Sequence, residues 1–198
     1  MDIRRFGPDH VLVEVEDPSL ALAVYDEARR RRVRAVSIVP AASTVLFEGL
    51  QDVDSLVMSL PEWDVRATDA PGDTVEVPTR YDGDDLDQVA RLWDMSRDEV
   101  VRTHTSADFV VAFCGFAPGF AYCTGLPDDL AVPRLDSPRT KVPTGSVGLA
   151  GPYTGVYPTP SPGGWQLIGR TDLLLWDVDR DPPATLVPGT RVRFTQTT

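Results

Sequence analysis

A chain of 198 residues, 42% hydrophobic and 25% charged, has ordinary globular composition, with material for one large core or two small ones. Its net charge of −11 opposes binding to a phosphate backbone, and no run of about 18 apolar residues is present to span a membrane. Met1-Asp2-Ile3-Arg4-Arg5 lacks the apolar stretch of a signal peptide, and Cys114 and Cys123 are too few to staple a secreted fold, so a cytoplasmic location is expected.

Residues 10–16 alternate, with Val11, Val13 and Val15 on one face of a strand. Asp17-Pro18-Ser19 then opens a helix with Leu20, Ala23, Val24 and Ala28 at helical spacing. Arg29 to Arg32 and Arg34 form the one basic cluster, read as the helix's C-terminal turn, where cations suit the dipole. Residues 33–39 and 44–47 read as a strand pair, residues 51–60 as a helix and residues 74–77 as a last strand. That order, strand-helix-strand-strand-helix-strand, predicts a ferredoxin-like domain over residues 1–78.

Residues 78–83 read as a junction. A helix over 84–94 turns Leu86, Val89, Ala90 and Trp93 inward, and Ser96-Arg97-Asp98-Glu99 has the spacing of a capping box for a second helix ending near His104. Residues 109–113 form an apolar strand. From residue 115 to 170 the texture changes: 56 residues hold 10 glycines and 9 prolines, which excludes long helices. Short strands at 146–150, 165–168, 173–178 and 190–195 predict a closed or nearly closed β-structure, since closure protects edges.

The chain carries no phosphate loop, no G-x-G-x-x-G, no CxxC pair and no H-E-x-x-H, and His10 and His104 are its only histidines, so no metal site is expected. Cys114 with His104 is a conceivable nucleophile and base; a buried, inert thiol is the competing reading. Between residues 130 and 170 stand Arg134, Arg139, Lys141 and Arg170 against Asp136 alone, a net of +3 inside an acidic chain, and Lys141 is its only lysine. Such an island suits a small carboxylate or phosphate; alternatively its cations pair with aspartates such as Asp128, Asp129 and Asp172. Aromatics interleave with turn residues around Phe116, Phe120 and Trp165, and they suit either a pocket wall or a core plug.

Gly115-Phe116-Ala117-Pro118-Gly119-Phe120-Ala121-Tyr122 is followed in order by Pro138-Arg139, Val142-Pro143-Thr144-Gly145-Ser146-Val147-Gly148 and Thr154-Gly155-Val156-Tyr157-Pro158. Ser161-Pro162-Gly163-Gly164-Trp165 and Ile168-Gly169-Arg170-Thr171 complete the run. This run resembles the family that contains the 5-oxoprolinase B subunit, the sporulation kinase inhibitor KipI and allophanate hydrolase subunit 1. Cys123, Leu135, Thr144 and Tyr153 depart from its usual pattern.

The resemblance implies a cyclophilin-like β-barrel over residues 79–198, and hence an α+β protein of two domains. It implies ATP-dependent hydrolysis of 5-oxo-L-proline to L-glutamate, in a 5-oxoprolinase completed by an A component and a biotin-dependent carboxyltransferase-like C component. A KipI-like inhibitor of histidine kinase autophosphorylation and a carboxyltransferase component of the allophanate hydrolase or urea carboxylase type are the alternatives. ATP is the implied cofactor, not held tightly, with its contact open between this chain and the complex with the C component. Arg139 and Arg170 are implied ligands of a small anionic substrate, with Lys141 behind them. Gly145, Ser146, Phe116, Pro118, Gly119, Phe120, Tyr157 and Trp165 are the further implied substrate-binding positions. No catalytic residue is implied.

Overall fold

The computed structural model describes residues 1–65 and 73–198. The chain forms two compact units, Met1–Pro71 and Gly72–Thr198.

In the first unit, strands β1 (Asp2–Arg5) and β2 (Val11–Glu14) form a hairpin. Helix α1 (Pro18–Arg30) follows. Its start is fixed by Asp17, whose carboxylate accepts from the amides of Ser19 and Leu20 at 2.8 and 3.1 Å. The Ser19 hydroxyl and the Leu20 amide hold that carboxyl below its usual pKa. The arginine run closes the helix, and the buried Glu27 carboxylate pairs with both Arg30 and Arg31. Strands β3 (Ser37–Pro40) and β4 (Thr44–Glu48) pair with each other, and helix α2 spans Val53–Ser59. The sheet order is β1-β2-β4-β3, all antiparallel, and Val11, Val13, Val24, Val45 and Phe47 form its buried core.

The fourth strand expected at residues 74–77 is not in this sheet. Strand β5 (Thr74–Thr79) runs parallel to the last strand of the chain, in the second unit. The place beside β2 is filled instead by β1, four residues with little burial and no strand signal in their sequence. The sequence pattern puts the domain break at 78/79; the contacts divide the chain at Pro71/Gly72, because β5 goes with the second sheet.

In the second unit, β5 is followed by α3 (Leu86–Leu92) and α4 (Arg97–Ser106), and Ser96 and Glu99 make the expected capping box on α4. The strands are β6 (Phe109–Cys114), β7 (Ala121–Thr124), β8 (Arg139–Val142), β9 (Ser146–Ala150), β10 (Tyr153–Val156), β11 (Ser161–Gly163), β12 (Gln166–Arg170) and β13 (Arg191–Gln196). Seven strands form a mixed sheet in the order β12-β9-β10-β7-β6-β13-β5, and β8 pairs separately with β11. The apolar run at 173–178 forms only an isolated bridge, Trp176 to Ala184.

The two edges of the seven-stranded sheet nearly meet. Arg80 and Arg170 exchange backbone hydrogen bonds of 2.8 and 2.9 Å, and the amides of Gly83 and Asp85 continue the seam to the carbonyls of Ile168 and Leu167. The backbones approach so closely that a Cβ at Gly169 would lie 2.5 Å from the Arg80 oxygen. Closure gives an α+β fold with a barrel-like sheet whose two edge strands are tied together at the seam. Val77, Phe109, Val111, Leu149, Ile168 and Phe194 fill its core together with Leu86, Val89 and Val100 of the helices. Among the described residues no helix is long and apolar enough to cross a membrane, and no cluster of three or more His, Cys, Asp or Glu is placed to hold a metal ion.

Candidate functional site

The two chemically suggestive side chains, His104 and Cys114, are held inert. His104 is fully buried beside Phe109 and Phe194. The Thr154 hydroxyl has one proton to give, and the Gly148 carbonyl lies 3.3 Å away to accept it. The Thr154 oxygen therefore accepts from Nε2–H of His104 at 2.9 Å, while Nδ1 accepts from the Tyr81 hydroxyl at 2.7 Å. Both ring nitrogens are spent, and burial lowers the imidazole pKa to about 3. The Cys114 thiol lies 3.5 Å from the Leu186 carbonyl, and burial raises its pKa to about 11, so it is a thiol rather than a thiolate at neutral pH. The nucleophile–base reading of this pair therefore gives way to the inert one.

The glycine- and proline-rich motifs assemble around one aromatic cluster. The turn between β6 and β7 carries Phe116, Pro118 and Gly119, and is closed by Gly115 N–H to Phe120 O at 3.2 Å and Phe120 N–H to Ala117 O at 3.0 Å. Phe116 sits at φ +70°, a strained conformation for a large side chain, and is 59% exposed. Its ring stands edge-on to Phe120 at 5.3 Å and to Tyr157 at 6.3 Å. Phe120, Tyr157 and Trp165 are buried and mutually edge-to-face, packed on Val142 and Leu167. Tyr122 and Tyr153 border them half-buried, with Phe113 stacked on Tyr122 at 4.4 Å. Of the implied aromatic positions, then, Phe120, Tyr157 and Trp165 are core, and Phe116 is the exposed ring, forming a ledge on the β6–β7 turn.

Gly145 and Ser146 act through their backbones. Gly145 has φ +80°, and a Cβ there would fall 2.1 Å from the Thr171 carbonyl. Its amide donates to Tyr157 O at 2.7 Å, its carbonyl accepts from Thr171 N at 2.9 Å, and Ser146 O accepts from Tyr157 N at 3.0 Å. These bonds fix Tyr157 against the entry of β9.

The cations divide. Arg139 Nη2 contacts both oxygens of Asp85 at 2.7 and 2.8 Å, and Asp85 also accepts from the Leu167 amide at 2.6 Å. That carboxylate is buried, so this is a weld between the start of α3, β8 and β12. Arg170 pairs with Asp82 at 2.7 Å in an exposed bridge. The partners are aspartates, as one of the two charge readings has it, but Asp82 and Asp85 rather than Asp128, Asp129 or Asp172. Lys141 is exposed on β8, at the position alternate to the core residue Val142. Arg134 is also exposed, and its charge is near enough to Tyr122 and Tyr157 to oppose the upward pKa shift that burial gives their hydroxyls. The sequence places Arg134 in the island without singling it out; only the positions of Tyr122 and Tyr157 mark it. A separate cleft of about 540 Å³ lies at the barrel seam, lined by Arg80, Arg170, Thr171 and Asp172 among others.

The family described as carboxyltransferase domain, subdomain C and D, matches residues 1–186. The chain is 39% identical over 203 residues to the 5-oxoprolinase B subunit of Escherichia coli O157:H7, covering 95% of this chain and 92% of that protein. It is 47% identical over 123 residues to the 5-oxoprolinase B subunit of Bacillus subtilis (strain 168), covering 61% of this chain and 51% of that one. Among solved structures, that of TTHA0988 superposes with a TM-score of 0.81 at 31% identity, over 96% of this chain and 40% of the longer one. The chain therefore belongs to the family of the 5-oxoprolinase B subunit, KipI and allophanate hydrolase subunit 1.

Proposed function

We propose that this chain is the B subunit of an ATP-dependent 5-oxoprolinase, acting in the cytoplasm with the enzyme's A and C components to hydrolyse 5-oxo-L-proline to L-glutamate. The observation that carries this reading is the likeness to a 5-oxoprolinase B subunit along 95% of the chain. In this reading the four-stranded sheet is a ferredoxin-like domain that takes its outer strand from β1, and the barrel is cyclophilin-like. A lactam is a poor electrophile, and phosphorylating its oxygen makes ring opening feasible. ATP is used in the complex with the C component, while this chain supplies a surface for substrate and partner. With His104 neutral and doubly bonded and Cys114 protonated, the proton transfers fall to groups of the assembled complex. Mixing the purified chain with its A and C components is expected to give glutamate from 5-oxoproline only when ATP is present. A complete, folded assembly that releases none defeats the reading.

A second reading is favoured by the carboxyltransferase family match over residues 1–186. In it the chain forms part of a carboxyltransferase of the allophanate hydrolase or urea carboxylase type. Urea-dependent transfer from a carboxylated biotin carrier is its test, and the absence of both turnover and carrier binding would remove it.

A further inference from the structure

The basic cluster at the end of α1 is larger than the closing of a helix requires. Arg30 and Arg31 share the buried Glu27 carboxylate, and Arg29 donates to the Tyr25 hydroxyl at 3.2 Å with its guanidinium over the Tyr25 ring. Arg32 and Arg34 are exposed, and their side chains make no ion pair or hydrogen bond among the described residues. Arg32 also stands at φ +55°, a left-handed position just past the helix end that favours glycine. Five arginines in six positions thus form ion pairs with one carboxylate, in a chain whose net charge is −11.

A cleft of about 690 Å³ opens beside them, between the end of α1 and α2. Val33, Leu50, Leu56 and Trp63 give it an apolar lining, and Arg31 and Arg34 line it as well. Leu50, Leu56 and Trp63 belong to the core of the unit, so this lining is fixed from beneath. The Trp63 ring donates from Nε1 to the Ser59 hydroxyl at 3.2 Å, and the Arg31 guanidinium lies over it, 5.2 Å from the ring centroid. With Nε on Glu27 and one face on Trp63, Arg31 is oriented while its terminal nitrogens stay open to a ligand. Asp52, also in the lining, is engaged by the Ser55 amide at 2.9 Å as the cap of α2.

We propose that this corner of the first unit docks an acidic segment of a partner protein. An apolar side chain of the segment enters the cleft, and carboxylates flanking it pair with Arg31, Arg34 and Arg32. Charge decides the occupant. A single small acid would use one or two of these guanidiniums, whereas a segment with several carboxylates matches the run along its length. A nucleic acid would bring its phosphates to a chain that is strongly acidic overall. The apolar lining beside the cations suits a side chain, which a bare anion lacks. Arg31, already set on Trp63, loses little freedom when it is occupied. All of these residues belong to the first unit and none lies in the glycine- and proline-rich motifs, so the docking site and the oxoprolinase reading stand or fall separately.

The test is a fluorescence-anisotropy titration of the full chain against a panel of short labelled peptides, each a run of glutamates around one central leucine, phenylalanine or tryptophan. Pyrophosphate and single-stranded DNA are the competing probes. Saturable peptide binding that weakens with added salt is expected. Replacing the central apolar residue by serine is expected to weaken it about tenfold, and Arg34→Ala to do the same. Arg34→Lys should restore part of the loss, Arg34→Glu should deepen it, and Ser55→Phe should weaken binding by filling the cleft. Arg193→Ala, an exposed arginine of β13, should leave the affinity unchanged. Unchanged melting of each variant shows that the fold is intact. No saturable binding by any peptide below about 1 mM at low salt, or binding undiminished in both Arg34→Ala and Ser55→Phe, overturns the proposal. So does tighter binding of pyrophosphate or single-stranded DNA than of every peptide, which would make the corner a phosphate site.

Discussion

The interior of the barrel and the ledge of the β6–β7 turn both combine aromatic rings with polar groups, and they treat those groups in opposite ways. Inside, the hydroxyls of Tyr81 and Thr154 and both nitrogens of His104 are matched one to one, with Phe109 and Phe194 packed around them. At the turn, Phe116 is left in solvent at positive φ, and in the cationic stretch before β8 Arg134 has its flanking backbone held and makes no ion pair or hydrogen bond among the described residues. Matched polar groups in a dry core hold the fold in one arrangement. Unmatched ones on a fixed frame are available to a ligand. The same contrast separates Arg139, bound to a buried aspartate, from Arg134, though they stand five residues apart in one cationic stretch.

The sharpest way to test that contrast is to break the welded side. Asp85→Ala leaves the Arg139 guanidinium without its carboxylate and the Leu167 amide without its acceptor, and about 3 kcal/mol of stability is expected to go, read by urea unfolding. Arg134→Ala in the same assay is expected to change stability by less than about 0.5 kcal/mol. Equal losses would erase the distinction between the two arginines.

Next comes the frame beneath the ledge. Gly145→Ala places a methyl against the Thr171 carbonyl at positive φ, and a loss of about 1–3 kcal/mol is expected in thermal or urea melts. A neutral result would show that the β9 entry is not held as tightly as its hydrogen bonds indicate.

The polar interior answers to pH. His104 has its pKa lowered from 6.5 to about 3 in the folded chain, so below pH 6.5 the unfolded chain takes up a proton that the folded chain refuses. The His104 contribution is complete above pH 6.5 and is lost as pH falls from there towards 3, with a slope of at most about 1.4 kcal/mol per pH unit. A folded His104→Gln variant is expected to have a flatter stability profile across that window. An unchanged slope would assign the acid sensitivity to other groups.

The smallest effect is expected at the seam. Arg170 and Asp82 are both exposed, so Arg170→Ala should cost less than about 1 kcal/mol, and the remaining difference should shrink in high salt. The backbone pairing of Arg80 with Arg170 persists without the side chain, which is why closure survives the substitution.

Local chemistry made much of this molecule legible. Asp17-Pro18 starts α1 and the arginines end it, Ser96 and Glu99 cap α4, and the density of glycine and proline after residue 115 excludes long helices, all through interactions within a few residues. The partner of a strand is a different matter. Residues 74–79 read as a strand from their β-branched residues, but those residues say nothing about which sheet receives them; pairing with β13 joins positions more than a hundred residues apart. β1 escapes notice because a short, largely exposed edge strand has little alternation to display. The 173–178 run has the apolar content of a strand and finds no strand partner beyond one bridge.

The sequence by itself determined the class of the second unit, its motif-bearing stretch and the excess of positive charge within that stretch. Only the tertiary structure decided which of those charges are free. Arg139 meets an aspartate 54 residues away, Arg170 one 88 residues away, and Arg134 meets none among the described residues. Electrostatic pairing depends on distance in space, and barrel closure sets that distance through backbone hydrogen bonds whose register no local pattern encodes.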